Sequence, residues 1–491
     1  MKPKLLTFML ATAFGMPAVA ENLTEVYRAA LAYDAPYAAA QASYQAAREK
    51  LPQARAGLLP NASLNANGRY NDVESSLPSS ADFNSHGWSV SAAQPIYRGQ
   101  NLVAYDQAKV SVLLAENQFK TAGQDLILRT ARAYFDVLLA QDSLSFIGAQ
   151  KAAITEQLAS AKRNFEVGTA TITDTHEAQA RFDLATAQEI AAQNDLEVKR
   201  RALHTLTGKP IEKLAPLTAK PILASPAPQN MDDWVNRSQS DNLQVLIRQQ
   251  ARQIADKEID RARAGHHPTL DLTASYNDNY NQNFGTQQID SRSTVLGLEL
   301  ALPIYQGGLT SSQVREAVAN KEKARQELED ALRNAALQTR QAYLNVTSTE
   351  AQVKALEAAL SSSEKSLEST QLGLQVGVRT NVDVLNAQQQ VFSAKKDLAA
   401  ARYNFLLSVL NLKAAAGSLS ATDLEEIDRL LAGMPAAPAK TSTAPESSAM
   451  RYALSLRNPM QPANEAAAPV APATVNQPLQ LRSELTLASR N

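Results

Sequence analysis

Cysteine is absent from the 491 residues, and the chain also has little net charge, few aromatic residues and little glycine. Without a thiol the chain forms no disulfide and no thiolate metal site, and it has no cysteine for N-terminal lipidation. The formal net charge is only −1, which gives no reason to expect a nucleic-acid partner. Aromatic residues make up 5% of the chain and glycine contributes 18 residues, so the composition favours long helices over a bulky globular core.

Long apolar runs are also missing after the first twenty residues. Two lysines precede an apolar run over residues 5–16, and a small-residue cleavage site, AVA, follows, so we interpret residues 1–20 as an export signal peptide. A transmembrane anchor is the alternative interpretation, but the run is short and ends in proline. No later stretch approaches the roughly 18 uninterrupted apolar residues of a membrane helix. If the mature chain enters a membrane, it must therefore do so as a β-barrel.

The chain contains two copies of one sequence repeat. Two pairs of segments match at separations of 208 and 209 residues: QPIYRGQ at 94–100 with LPIYQGG at 302–308, and FEVGTATITDTHEAQ at 165–179 with LQVGVRTNVDVLNAQ at 374–388. Single residues share these offsets, as Gly208 and Gly417 do. We therefore predict a first repeat at 21–208, a proline-rich linker at 209–230 and a second repeat at 231–433.

Each repeat is predicted to contribute one β-hairpin, over about 61–94 and about 269–303. The opening segments, NASLNANGRY and TLDLTASYN, alternate between apolar and polar residues, which is typical of a strand with one polar face. A polar loop leads to a second strand, which we expect to end at Pro95 or Pro303 because proline cannot donate to a strand ladder. The chain then supplies four strands of about ten residues each.

A helical hairpin is predicted to follow each β-hairpin, over about 99–207 and about 308–416. The first helix of each would extend through about 65 residues without proline and would be on the order of 100 Å long. No ordinary globular domain contains such a helix.

The repeated Val-Gly turn is predicted to be the tip of this helical hairpin. Gly168 and Gly377 are expected to end the outgoing helix in the left-handed conformation. The Thr-x-x-Asp patterns that end at Asp174 and Asp383 are capping boxes, which would begin the return helix.

Four strands cannot close a membrane barrel, because such barrels begin at about eight strands. The chain must therefore oligomerise through its strands, or else the strands form a soluble sheet. Strand periodicity alone leaves both possibilities open, although the export signal and the long helices favour the first.

The motifs, taken together and in order, resemble the TolC family of outer-membrane efflux and secretion proteins. The resemblance extends from about Glu21 to Gly433 and is carried by ENLTEVYRAAL, LLPN, HHPTLDLTAS, LPIYQGG, RTARAYFDVL, VGTATITD, VGVRTNVDVLNAQ and ARYNFLLSVLNLKAAAG. It implies a mainly α chain with a membrane β-barrel, in which three chains give four strands each to one twelve-stranded outer-membrane barrel. A long α-helical barrel of coiled-coil hairpins would continue from it across the periplasm.

The resemblance also implies a mixed α/β equatorial belt around the helical barrel. Its segments here would be the helix from about Leu23 to Tyr33, the linker with the region around Trp234, and residues 424–431. The tail at 434–491 lies beyond the resemblance. Because it is rich in proline, alanine and serine, we predict that it is disordered.

By the same resemblance the protein would be an exit duct in the outer membrane of a Gram-negative bacterium, in contact with outer-membrane lipid. A periplasmic adaptor (membrane fusion) protein and an inner-membrane pump or ABC exporter would recruit the homotrimer. The cargo would be drugs or proteins of type I secretion, because a duct serves whichever pump recruits it. A non-conducting periplasmic coiled-coil scaffold is the alternative.

The adaptor is expected to dock at the hairpin tips. Both tips would lie at the far end of the tube and lack bulky side chains, so a partner helix could approach closely. The residues of this expected docking surface are Val167, Gly168, Val376 and Gly377.

Asp383 and Asn386 match the positions where the family carries inward aspartates at its narrow periplasmic entrance. A role in capping the return helix would be enough to explain Asp383, and the same role fully explains Asp174. The resemblance adds a pore role for Asp383, followed one helical turn later by the neutral Asn386. We therefore expect one charged layer at the aperture with a neutral layer behind it.

Arg379 matches the family's tip arginine, which helps to hold the entrance shut by bonding to the neighbouring outer hairpin. Its partners here would be Thr173 and Asp174, and a solvated arginine is the alternative. A tyrosine of the family's gate is replaced by Leu374, so the closed state would lose one hydroxyl.

Residues that would indicate catalysis are not found together. The sequence has no Ser/His/Asp set, phosphate loop or paired-acid site, and we expect no cofactor. His266 and His267 are expected to point in opposite directions from an extended segment, which disfavours a metal site. An enzyme is therefore the least favoured class.

Overall fold

Two long helical hairpins and one four-stranded sheet make up most of the described chain. The computed structural model describes residues 20–73, 81–169, 171–211, 213–218, 226–284 and 287–431. Several predicted segments lie outside the described residues. They are residues 1–19 of the signal peptide, residues 212 and 219–225 of the linker, and the whole tail at 434–491.

The first helical hairpin consists of α4 and α5, and the second of α8 and α9. The helices of the chain are α1 (Leu23–Tyr33), α2 (Ala35–Arg48), α3 (Lys50–Ala56), α4 (Gly99–Glu166), α5 (Ile172–Thr207), α6 (Met231–Asp241), α7 (Leu243–Arg263), α8 (Leu309–Gln375), α9 (Asn381–Ala415) and α10 (Thr422–Asp428). With 68 residues in α4 and 67 in α8, each is about 100 Å long. Within the described ranges, no helix is long and apolar enough to cross a membrane.

The sheet is antiparallel, with its strands in the order β1-β2-β3-β4. The strands are β1 (Asn61–Val73), β2 (Ala81–Arg98), β3 (Thr269–Phe284) and β4 (Gln287–Ala301). They contain 13, 18, 16 and 15 residues, so the expected length of about ten was too short. The described parts of the polar segments that we assigned to loops continue the strand ladders.

The expectation that the second strand ends at Pro95 is wrong, because β2 crosses this proline and ends at Arg98. The register shifts between Pro95 and Tyr97, so Ile96 is the extra residue of a bulge directly after the proline. Beyond it, Arg98 donates hydrogen bonds of 2.9 and 2.8 Å to the carboxylate of Asp271 on β3, which fixes the end of the ladder. In β4 the strand ends at Ala301, before Pro303.

One face of the sheet is apolar and the other is polar. The aligned residues of the apolar face include Leu64, Val90 and Tyr276; Ala62, Ala92, Ala274 and Leu296; Leu272 and Leu298; and Leu270 and Leu300. Those of the polar face include Ser63, Ser91 and Ser275, and Asn65, Ser89, Asn277 and Ser293. Leu296, Leu298 and Leu300 are 75%, 70% and 68% exposed in the single chain. An exposed apolar face of this kind marks a site of contact with a membrane or with another protein.

The main hydrophobic core, which we call the belt core, lies around the middle of the long helices. It brings together α1, α6, α10 and the linker with α4 and α9, through buried residues that include Leu23, Tyr27, Tyr134, Phe135, Leu214, Trp234, Phe405, Leu410, Leu424 and Leu431. Short β-bridges join Glu21 to Leu214 and Leu217 to Leu431. The segments expected in the equatorial belt therefore share one core.

Buried polar contacts fix the belt core in register. Asp34 is 5% exposed and accepts two hydrogen bonds of 2.9 and 2.8 Å from the guanidinium of Arg129, which lowers the pKa of its carboxyl. Asp428 accepts from the backbone N–H of Leu23 at 2.9 Å and so ties the start of α1 to the end of α10. Burial raises the pKa of the Asp428 carboxyl.

A second, smaller core lies towards the tips of the hairpins and is separate from the belt core. This tip cluster consists of Ile154, Leu158 and Ala161 from α4, Ala178 and Ala185 from α5, and Leu385 from α9, with Phe182 packed against it. Because Leu385 belongs to the second hairpin, the tip cluster joins the two hairpins of the chain.

Candidate functional site: the hairpin tips

Each outgoing helix ends in the same glycine turn. In the first hairpin Gly168 N donates to Phe165 O at 2.9 Å, and Thr169 N donates to Asn164 O at 2.8 Å. This pair of bonds is the Schellman arrangement. The second hairpin repeats it at Gly377, and φ is 78° at Gly168 and 80° at Gly377. The predicted left-handed glycines are therefore confirmed.

Each return helix begins with the predicted capping box. Asp174 N donates to Thr171 Oγ1 at 3.3 Å, and Thr171 N donates to Asp174 Oδ2 at 3.0 Å. The corresponding distances for Asp383 and Thr380 are 3.3 and 2.9 Å. The aspartate is therefore repeated for a structural reason, since each tip needs one to start its return helix.

The cap also keeps Asp383 charged. The backbone N–H and the hydroxyl of Thr380 donate to its carboxylate, and the charge of Arg379 adds to their effect, so the pKa of this carboxyl lies below its usual value. Asp383 is partly exposed at the start of α9, and Asn386 is exposed one turn later. The charged Asp383 and the neutral Asn386 therefore follow one another along α9, one helical turn apart. That these two residues line a pore stays a prediction.

Arg379 folds back over its own hairpin. A Cβ placed on Gly373 would lie 2.6 Å from Arg379 Cγ, so this glycine makes room for the side chain. Among the residues that the structure describes, no hydrogen bond or ion pair within the chain joins Arg379 to Thr173 or Asp174. The predicted lock is therefore not formed within one chain, and the pairing of Arg379 with Thr173 and Asp174 stays a prediction.

The predicted docking residues are open to solvent. Val167 is 73% exposed and Val376 is 65% exposed. A Cβ added at Gly168 or at Gly377 would meet no atom within 4 Å. Each tip thus presents one valine beside a glycine with free space above it.

Arg181 is a tip residue that sequence reasoning missed. Its guanidinium, on α5, donates to Asn386 Oδ1 at 3.0 Å and to Gln389 Oε1 at 2.6 Å, both on α9. It also donates to Glu177 Oε1 at 3.0 Å, four residues earlier on α5. Glu177 and Asn386 occupy matching positions of the two repeats, at the offset of 209 residues. This correspondence was the only feature of the sequence that could have indicated a contact at Arg181.

The two adjacent histidines lie in different local structures, and His267 contacts a neighbouring strand. His266 ends a short 3-10 helix, Ala264–His266, so the expectation that it lies on an extended segment is wrong. His267 Nδ1 lies 3.2 Å from the hydroxyl of Tyr97 on β2. This contact joins the segment before β3 to the end of β2.

Comparison with known proteins places this chain in a family. A family described as outer membrane efflux protein matches residues 26–209 and 234–418, one segment in each repeat. The chain is 36% identical to the outer membrane protein TolC of Vibrio cholerae serotype O1 over 434 residues, which is 87% of this chain and 98% of that protein. It is 32% identical to the alkaline protease secretion protein AprF of Pseudomonas aeruginosa, over 83% of this chain and 87% of AprF.

Solved structures show the same fold. The outer membrane protein VceC of Vibrio cholerae superposes with a TM-score of 0.68 at 19% identity, and the match covers 80% of this chain and 96% of VceC.

Proposed function

Since the chain belongs to the outer membrane efflux protein family, we propose that it is the exit duct of an export system, leading across the periplasm and through the outer membrane. The observation that carries the proposal is the direct continuation of the sheet into the long helices, since β2 ends at Arg98 and α4 begins at Gly99. A wall that changes from strand to helix without a break can enclose one passage.

More than one copy of the chain would be needed to build this wall, and the family resemblance implies three. One chain supplies four strands, whereas membrane barrels begin at about eight, and β1 and β4 are both edge strands here. Pairing β1 of one copy with β4 of the next would satisfy both edges, and three copies give twelve strands. The exposed leucines of the apolar face would then contact outer-membrane lipid.

The partners would be a periplasmic adaptor protein and an inner-membrane pump or ABC exporter, and the protein itself would perform no chemistry. The cargo would be small molecules or secreted proteins. One relative is named for alkaline protease secretion, and the matching family for efflux.

Fractionation and channel recording test this function together. We expect the protein in the outer-membrane fraction as a trimer, and we expect the purified trimer to give single-channel conductance in planar bilayers. A purified protein that stays monomeric while embedded in the outer membrane would contradict the intermolecular barrel. A trimer without conductance would indicate a scaffold instead.

The proposed adaptor contact is tested at the tip glycines. Replacing Gly168 or Gly377 by leucine should reduce export to the level of cells that lack the protein, because the free space beside each valine would be filled. The trimer and its membrane insertion should persist, since both glycines are remote from the belt core. Drug efflux and protein secretion measure the effect.

Gly377→Asn is the matched control, because asparagine tolerates a positive φ and is smaller than leucine. It should retain most of the export. Unchanged export in both leucine variants would refute docking at these tips.

A further inference from the structure

Arg181 connects two helices that belong to different hairpins. Its planar guanidinium reaches Asn386 and Gln389 on α9 through its two terminal nitrogens, at 3.0 and 2.6 Å. The third nitrogen is held by Glu177 on its own helix at 3.0 Å. All three acceptors lie within reach of one fork-shaped donor, a geometry that lysine could not reproduce.

The polar contact lies beside an apolar one. Leu385, the neighbour of Asn386, is 3% exposed and packs in the tip cluster, and Phe182, the neighbour of Arg181, packs against the same cluster. The first turns of α9 are therefore held to α5 in two ways, by burial and by hydrogen bonds to a charged donor.

We propose that Arg181 is a positioning residue that clamps α9 to α5 within each chain and thereby restrains the aperture closed. The clamp rests on the proposed function in one respect, since it assumes that the start of α9 lines the entrance. Its acceptors on α9 are amide oxygens, which bind a guanidinium less strongly than carboxylates do. The neutral residue at position 386 therefore makes the clamp weaker than an aspartate would, and easier to release.

The clamp predicts opposite effects for two substitutions. Arg181→Gln removes the cross-helix donor and should raise the open population roughly three- to tenfold, the net effect expected from the loss of a typical, partly exposed hydrogen bond. Asn386→Asp supplies a carboxylate to the same donor and should lower the open population. Single-channel recording measures both, and Asn386→Asp should have no such closing effect in an Arg181→Gln background.

Arg201→Gln is the matched control. Arg201 lies on α5 and pairs with Glu197 at 2.8 Å in the same i,i+4 arrangement, but its side chain is 76% exposed. Its replacement should leave the open population unchanged. An equal closing effect of Asn386→Asp with and without Arg181 would overturn the clamp.

A distance measurement tests the clamp independently of conduction. Because the chain lacks cysteine, single cysteines can be introduced for spin labels at the exposed positions Ala180 and Gln390, next to the clamp on α5 and α9. The distance distribution between the labels should broaden in Arg181→Gln and stay narrow in Arg201→Gln. An unchanged narrow distribution in Arg181→Gln overturns the clamp, even if the trimer conducts. If the parent does not conduct, the proposed duct fails, while the distances still decide whether Arg181 holds the helices together.

Discussion

Alanine at Gly417 is expected to disrupt the belt and to cost more stability than alanine at any other positive-φ glycine of the described residues. Gly417 follows α9 with φ at 78°, and a Cβ there would lie 2.1 Å from the carbonyl oxygen of Asp241 and 2.8 Å from Asn242 N. These are backbone atoms at the junction of α6 and α7. Asn242 also donates from its side chain to Ala415 O at 2.8 Å, so the junction cannot retreat without breaking this bond.

Two other glycines provide a graded comparison, because they share the positive φ but not the surroundings. At Gly208, with φ at 69°, a Cβ would lie 2.5 Å from the ring of Tyr33, which is 60% exposed and can turn aside. At Gly377, with φ at 80°, nothing lies within 4 Å. The strained conformation alone costs roughly 1–3 kcal/mol, and overpacking against a fixed neighbour adds roughly another 1–3 kcal/mol.

Thermal unfolding of the purified protein and its amount in the outer membrane measure the series. We expect Gly417→Ala to lower both most strongly, Gly208→Ala to have an intermediate effect and Gly377→Ala the smallest. Equal losses in all three variants would show that the backbone strain decides the outcome and that the contact with Asp241 does not.

Removing the charge of Asp383 is expected to abolish most of the cation preference of the channel. Three copies would place three carboxylates at the narrowest point of the passage, where fixed charges dominate ion selectivity. Asp383→Asn is the sharper substitution, because an amide oxygen can still accept the capping bonds from Thr380. Reversal potentials in planar bilayers measure the loss, together with the loss of block by multivalent cations.

Asp174 is the internal control, since its capping box has the same geometry on the other hairpin. Asp174→Asn should leave the cation preference nearly unchanged and raise the open population, because Asp174 is the proposed partner of Arg379 from another chain. Loss of selectivity in Asp174→Asn but not in Asp383→Asn would reverse the assignment of the inner and outer hairpins.

The lowered pKa of Asp383 sets the expected pH dependence. Its carboxylate stays ionised as the pH falls below the usual range of an aspartate, so the stabilising cap of α9 should persist in mild acid. This contribution to stability is lost only as the pH falls through the lowered pKa of the folded state.

Features that depend on a few neighbouring residues could be predicted from the sequence. The glycine turns and the capping boxes are such features, because every hydrogen bond that forms them spans six residues or fewer. The two long helices also followed directly from the absence of proline.

Features that depend on distant contacts could not be predicted. The bulge after Pro95 arises from pairing with β3, which lies about 170 residues further along the chain. The clamp at Arg181 depends on the approach of α5 to α9, and no local pattern encodes that approach. The partner predicted for Arg379 would belong to another chain, and a contact of that kind cannot be derived from one sequence repeat or from one folded copy.

Because the two hydrophobic cores are separate, each helical hairpin can tilt about the belt core as a stiff rod. About 39 Å of α4 extends from Ala140, in the belt core, to Glu166, at the tip. A stiff rod of that length displaces its end by about 3 Å when it tilts by about 5°, which is about the length of one hydrogen bond. Arg181 lies nine residues into α5, about 14 Å back from the tip, so the same tilt would move it by about 2 Å. That is enough to stretch its bonds to α9 beyond hydrogen-bond distance without unwinding any helix.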